Sequence, residues 1–144
     1  KSKVKGKDMP GITQFEDIEA WKTARQLTNA VYAHTNHQGF NRDFGLRDQM
    51  RRASVSIMSN IAEGFESQTQ SMFIQYLGRA KGSAGEVRAQ LYIAREQDYI
   101  TVDEFQSMYS LAEICSKQLA KFIQYLESQP NARRVREEEV SYDV

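Results

Sequence analysis

The sequence predicts an all-α protein, an antiparallel up-down-up-down four-helix bundle, on three observations. Only two prolines occur in 144 residues, so the commonest helix breaker is nearly absent. Four long segments repeat apolar residues at the three- and four-residue spacing of one helix face. No segment alternates apolar and polar residues as a half-buried strand does, and no internal repeat is present.

A chain of this length, 40% hydrophobic and 26% charged, holds one core rather than two and is too apolar for disorder. Lys plus Arg number 19, as do Asp plus Glu, so the net charge is zero. Such a chain has no global field to draw in nucleic acid or an acidic membrane, and any such binding has to come from a local patch. Cys115 is the single cysteine and cannot close an internal disulfide, which fits a reducing cytosol. There is no signal peptide and no apolar run near the ~20 residues of a membrane span, so the expectation is a cytoplasmic protein with no membrane partner. The chain does not begin with Met, and the residues before Met9 read as a processed or trimmed extension.

Residues 1–14 lack periodicity and hold Lys1, Lys3, Lys5 and Lys7, which predicts a flexible basic arm. The bundle is expected over 15–128. Helix 1 is placed from about Glu16 to His34, with Ala20, Ala24, Leu27 and Val31 as one stripe and Ile18, Trp21, Thr28 and Tyr32 as its neighbour. Glu16, Asp17 and Glu19 suit the positive end of its dipole. Thr35 to Asp43, with Asn36, Gly39 and Asn41, reads as a loop.

Helix 2 is placed from about Gly45 to Gly64. Leu46, Met50, Ala53, Ile57 and Ile61 share one side, and Phe65, Met58, Ala62 and Val55 widen it to an arc of roughly 200°, more than one bundle core requires. A polar strip follows Arg52, Ser56, Ser59 and Glu63, with Gln49 and Asn60 alongside, and Gly64 is positioned to end the helix. Helix 3 is placed from Gln70 to Asp98 on the stripe Phe73, Leu77, Ala80, Ala84, Val87, Leu91 and Ala94. Beside it runs a line of Gly78, Gly82, Gly85 and Ala89. Each mid-helix glycine costs about 0.5–1 kcal/mol relative to alanine, so three on one face predict a closely packed second backbone.

Helix 4 opens on Thr101 and Glu104, a capping box. Phe105, Met108, Ala112, Cys115, Leu119, Phe122 and Leu126 then alternate steps of three and four, a coiled-coil-like period. Residues 129–144, with Arg133, Arg134, Arg136 and Glu137 to Glu139, read as a charged C-terminal tail.

A search for chemistry predicts no catalytic residue, no cofactor and no metal. Cys115 falls on a heptad core position, where a thiol behaves as a small hydrophobe. His34 and His37 lie three apart near a helix end, but no further cysteine or Glu-x-x-His pattern accompanies them, so surface histidines are the expectation. Glu86, Glu96 and Glu113 lack a histidine three residues on, which excludes the di-iron bundle pattern. Gly78 to Gly85 lies inside a helix and lacks the Gly-Lys-Ser/Thr ending of a phosphate loop.

Helices 2 and 3 carry a recognisable pattern. The run Gln49 to Phe65, centred on Ser59-Asn60-Ile61-Ala62-Glu63-Gly64, is joined by Phe73 to Leu77, Gly82-Ser83, Glu86, Gln90-Leu91, Ile93-Ala94 and Asp98 to Ile100. With Phe15 to Trp21 it resembles the four-helix bundle proteins encoded in intervening sequences of bacterial large-subunit ribosomal RNA genes, over about residues 15 to 127. The resemblance implies a homo-oligomeric ring, typically a pentamer. It also implies kinship with the accessory variability determinant of diversity-generating retroelements, which binds a reverse transcriptase and RNA. Met58 stands where the family usually has proline, which predicts an unbroken helix 2. Arg52, Asn60, Glu63, Ser83 and Glu86 match the family pattern; with Ser59 they make a candidate polar network in which Arg52 pairs with Glu63 or Glu86.

Two functions from different classes follow. The first is a non-catalytic homo-oligomeric scaffold or adaptor whose subunits meet through Val55, Met58, Ala62 and Phe65 and through Gly78, Gly82 and Gly85. The second is a nucleic-acid-binding accessory protein of a reverse transcriptase, touching RNA or DNA through the lysine arm and through Arg42, Arg47, Arg51, Arg79, Lys81, Arg88 and Arg95.

Overall fold

The computed structural model describes residues 11–129. Most of the expected basic arm and charged tail, residues 1–10 and 130–144, lies outside the described residues. Four α-helices carry the structure: α1 (Glu19–Thr35), α2 (Phe44–Glu66), α3 (Gln70–Glu96) and α4 (Val102–Glu127). Short 3-10 helices at Phe15–Asp17 and Phe40–Arg42 precede α1 and α2, and no strand forms among the described residues. Each helix packs on the next and α4 also packs on α1. No helix among the described residues is long and apolar enough to cross a membrane.

The expected stripes are the core. Ala24, Leu27, Val31, Met50, Ile57, Ile61, Phe73, Leu77, Leu91, Cys115 and Leu119 are all fully enclosed. Helix boundaries follow the caps. Glu16 and Asp17 belong to the first 3-10 helix, so Glu19 alone is the acidic residue of the first turn of α1. Asp43 caps α2 by accepting from Leu46 N at 3.1 Å, and Thr69 caps α3 by accepting from Met72 N. The Thr101–Glu104 capping box closes both ways, at 3.0 and 2.9 Å. Asp98 takes φ +60°, a left-handed turn that ends α3 before the residue expected.

Three expectations are corrected here. Helix α2 runs unbroken through Met58, as expected, but continues past Gly64 to Glu66. Gly64 is a packing residue: a Cβ there would sit 2.8 Å from Tyr76 Cβ and 3.3 Å from Phe73 O, so its hydrogen lets α2 and α3 close on each other. The segment read as a plain loop contributes Phe40 to the core; its ring stacks on Tyr99 at 5.1 Å. The Tyr99 hydroxyl donates to Asp43 Oδ2 at 2.9 Å, a bond that also pushes the phenol pKa up. Ile12, inside the stretch read as arm, is half-buried against the core.

Polar ties hold the helices in register. Thr28 Oγ1 donates to Ala24 O at 2.8 Å and lies 3.2 Å from Ser54 O, joining α1 to α2. Gln70 Nε2 donates to Leu126 O at 2.7 Å and to Gln129 O, fastening the start of α3 to the end of α4.

Candidate functional site

An outward-facing surface on α2 and α3 gathers most of the residues singled out in the sequence. On α2 an open groove of about 620 Å³ is walled by Tyr32, Asp48, Arg51, Arg52, Val55 and Glu63, with Ser56, Ser59 and Asn60 along its floor. Asn60 Nδ2 donates to Ser56 O and Ser56 Oγ at 2.8 and 2.9 Å, and Ser83 Oγ from α3 donates to Ser56 Oγ at 3.0 Å. Of the six residues expected to form a polar network, only Asn60 and Ser83 meet, and they do so through Ser56, which was not among them. The buried ion pair does not form: Arg52, Glu63 and Glu86 are exposed, and neither carboxylate lies within salt-bridge distance of Arg52. Glu86 Oε2 accepts from Gln90 Nε2 at 3.4 Å, and Ser59 is exposed. Beyond the Ser56–Asn60–Ser83 contact the strip faces solvent, because α3 covers only one edge of it.

The candidate interface residues divide. Met58, Ala62 and Phe65 are half-buried, Met58 and Phe65 against the chain's own core, whereas Val55 stands 38% exposed. The apolar arc of α2 left uncovered is therefore narrower than its sequence suggests. The α3 line is the more open part. Nothing lies within 4 Å of where a Cβ at Gly78, Gly82 or Gly85 would stand. Among the described residues no other backbone packs on that face. Ile93 and Met72, also on α3, are 47% and 41% exposed.

The candidate nucleic-acid contacts do not make one patch, and several are engaged within the chain. Arg47 Nε donates to Asp48 Oδ1 at 2.9 Å and Nη1 donates to Asn41 O and Oδ1, both at 3.1 Å. That bond, ahead of the charges of Arg52 and Arg51, holds the Asp48 carboxyl below its ordinary pKa. Arg51 donates to Thr35 Oγ1 at 2.9 Å and Asn36 Oδ1 at 3.0 Å and lies 4.8 Å from the Tyr32 ring. Arg88 Nη1 donates to Ser116 Oγ at 3.4 Å, and Arg95 covers Phe105 and Tyr92 at 4.5 and 5.3 Å. Arg79 covers its neighbour Tyr76 at 5.0 Å, while Arg42 and Lys81 are exposed. Lys81, Arg88 and Arg95 follow steps of seven along one flank of α3, and Arg79 lies on another.

Cys115 is fully buried, donates to Ala20 O at 3.5 Å, and desolvation pushes its thiol up to about 12. Burial so disfavours the thiolate, the form in which a cysteine is nucleophilic. A cluster that sequence reasoning missed lies at the junction of α1 and α4. His34, in the last turn of α1, and His37, just beyond it, meet Glu104 of the capping box. Hydrogen bonding to Thr101 N is the main cause that lowers the Glu104 pKa. The missing signal was tertiary, since Glu104 is far from the histidines in sequence. Tyr32, expected in the second apolar stripe of helix 1, is instead 41% exposed and lines the groove with Asp48, which the sequence did not single out.

The model of the 23S rRNA-intervening sequence protein family matches residues 16–121. Among solved structures, the chain is similar to the crystal structure of a protein of unknown function from the S23 ribosomal protein family of Bacteroides thetaiotaomicron. The two are 23% identical, with a TM-score of 0.67 over 73% of this chain and 95% of that one, a likeness that shows the fold. No curated protein matches the chain.

Proposed function

The chain belongs to the 23S rRNA-intervening sequence protein family, and from that premise we propose that it is a non-catalytic, homo-oligomeric scaffold or adaptor. The observation that carries this reading is the bare outer face of α3. Three glycines there each cost about 0.5–1 kcal/mol of helix stability, and among the described residues nothing lies within 4 Å of the place a Cβ would fill. Gly64 explains itself by a close contact; Gly78, Gly82 and Gly85 have none among the described residues. A helix from a second copy, seated against this line and beside exposed Ile93 of the same helix, supplies the missing partner.

The short connections Ser67–Thr69 and Gln97–Thr101 join helices that pack on each other, which favours an up-down-up-down course. A ring, and a pentamer in particular, rests on the resemblance of the Ser59 to Gly64 region to ring-forming relatives. In such an assembly the α2 grooves are repeated around one symmetry axis, and a partner reads several copies at once.

Static light scattering at micromolar concentration tests the proposal. Several-fold more than one subunit's mass is expected, and a clean 16.6 kDa species overturns it. Gly82→Leu, which fits the open space of a single chain, is expected to keep full helicity and reduce the scattering mass. An unchanged mass removes the glycine line from the interface.

A further inference from the structure

The chain has two histidines, and both stand at one place. We propose that His34, His37 and Glu104 form a binding site for a divalent transition-metal ion of the zinc class, which clips the end of α1 to the start of α4. One ligand atom from each residue lies within 4.8 Å of the others. His34 Nδ1 is buried and has no hydrogen-bond partner among the described residues. It faces Glu104 Oε2 at 3.6 Å, too far for a hydrogen bond, so an imidazole nitrogen and a carboxylate oxygen border the same space.

Local structure orients each ligand. Glu104 Oε1 accepts from Thr101 N at 2.9 Å as part of the capping box, which fixes the carboxylate and leaves Oε2 free. The His34 ring is held edge-on to that of His37, with centroids 5.4 Å apart at 85°. His37 N donates to His34 O at 3.2 Å, so the short segment after α1 returns the second imidazole to the first.

The donor set is two nitrogens and one oxygen. Imidazole selects zinc, cobalt(II), nickel or copper(II) over magnesium and calcium, which require oxygen ligands. With metal–ligand bonds of about 2.0–2.2 Å, ligand atoms around a tetrahedral ion stand about 3.3 Å apart. The three atoms therefore have to draw together, and exposed His37 is the ligand with room to move. Three protein ligands leave a fourth position for water or for a group from a partner.

The test is titration of EDTA-treated full-length protein with Zn²⁺ by calorimetry, with Co²⁺ as an optical probe. One Zn²⁺ per chain and visible d–d bands from Co²⁺ are expected, together with a higher melting temperature in Zn²⁺. His37→Ala is expected to weaken Zn²⁺ binding by about tenfold or more. Glu104→Gln is expected to do the same while keeping the helix cap, since glutamine also serves at that cap position. Absence of saturable Zn²⁺ binding at micromolar protein overturns the proposal, as does unchanged affinity in both variants. If Glu104→Gln fails to fold, His37→Ala decides alone. Because all three ligands come from one chain, the stoichiometry is one ion per chain in monomer and oligomer alike, so light scattering on the same samples separates this site from the scaffold reading.

Discussion

Gly64 and Gly82 are both helical glycines on the α2–α3 half of the bundle, and their surroundings are opposite. At Gly64 a Cβ would meet Tyr76 Cβ at 2.8 Å and Phe73 Cδ1 at 2.9 Å; at Gly82 it would meet nothing within 4 Å. The first glycine is explained by contacts within the subunit. The second carries the same propensity cost and no contact that offsets it. A face whose composition is costly to its own helix and unused among the described residues is the one that the second copy proposed above would cover.

Four measurements break or sharpen this contrast, beginning with the seam. Phe73→Ala removes a fully buried ring that meets Phe65 and Phe122 edge-on at 6.1 and 5.5 Å. A loss of about 3–5 kcal/mol in denaturant-induced unfolding is expected. Gly64→Ala forces a methyl into the Tyr76 and Phe73 contacts and is expected to cost about 1–3 kcal/mol by overpacking. A neutral result would mean the two helices can part without penalty.

Gly82→Ala should act with the opposite sign, raising the stability of the isolated subunit by about 0.5–1 kcal/mol through helix propensity alone. Dilution series followed by circular dichroism separate that gain from any change in assembly. If Gly82→Ala destabilises the dilute subunit, the open face is not open in solution.

The smallest effect at neutral pH is at Cys115. Burial raises its thiol from 9.0 to about 12. The thiol is a neutral acid, so the unfolded chain ionises first as pH rises. The stability Cys115 contributes is whole below about 9, falls between 9 and 12, and does not change around neutrality. A disulfide reagent at about pH 8 should label it only after denaturation. Rapid labelling of the native protein would show that the α1–α4 seam opens.

Much of the fold was legible in the residues. The stripes of α1, α3 and α4 needed only spacing, because an apolar face at helical period buries itself against whatever apolar face is nearest. The Thr101–Glu104 box was readable because both partners lie within one helical turn. Phe40 was hidden by its setting among Asn36, Gly39 and Asn41, whose turn chemistry says nothing about a ring folded inward against Tyr99. The Arg52 ion pair failed for a related reason. Spacing placed Arg52 and Glu63 on the same strip, but nothing local showed that α3 covers only its Ser56–Asn60 edge.

The sequence by itself determined the four helices, their main core stripes and the place of Cys115 on one of them, since each follows from interactions a few residues apart along one helix. Only the tertiary structure decided which glycine is a close contact and which faces open space, where Glu104 meets His34 and His37, and which arginines are engaged within the chain. Those outcomes depend on the approach of distant segments, and that approach is set by the packing of the whole core.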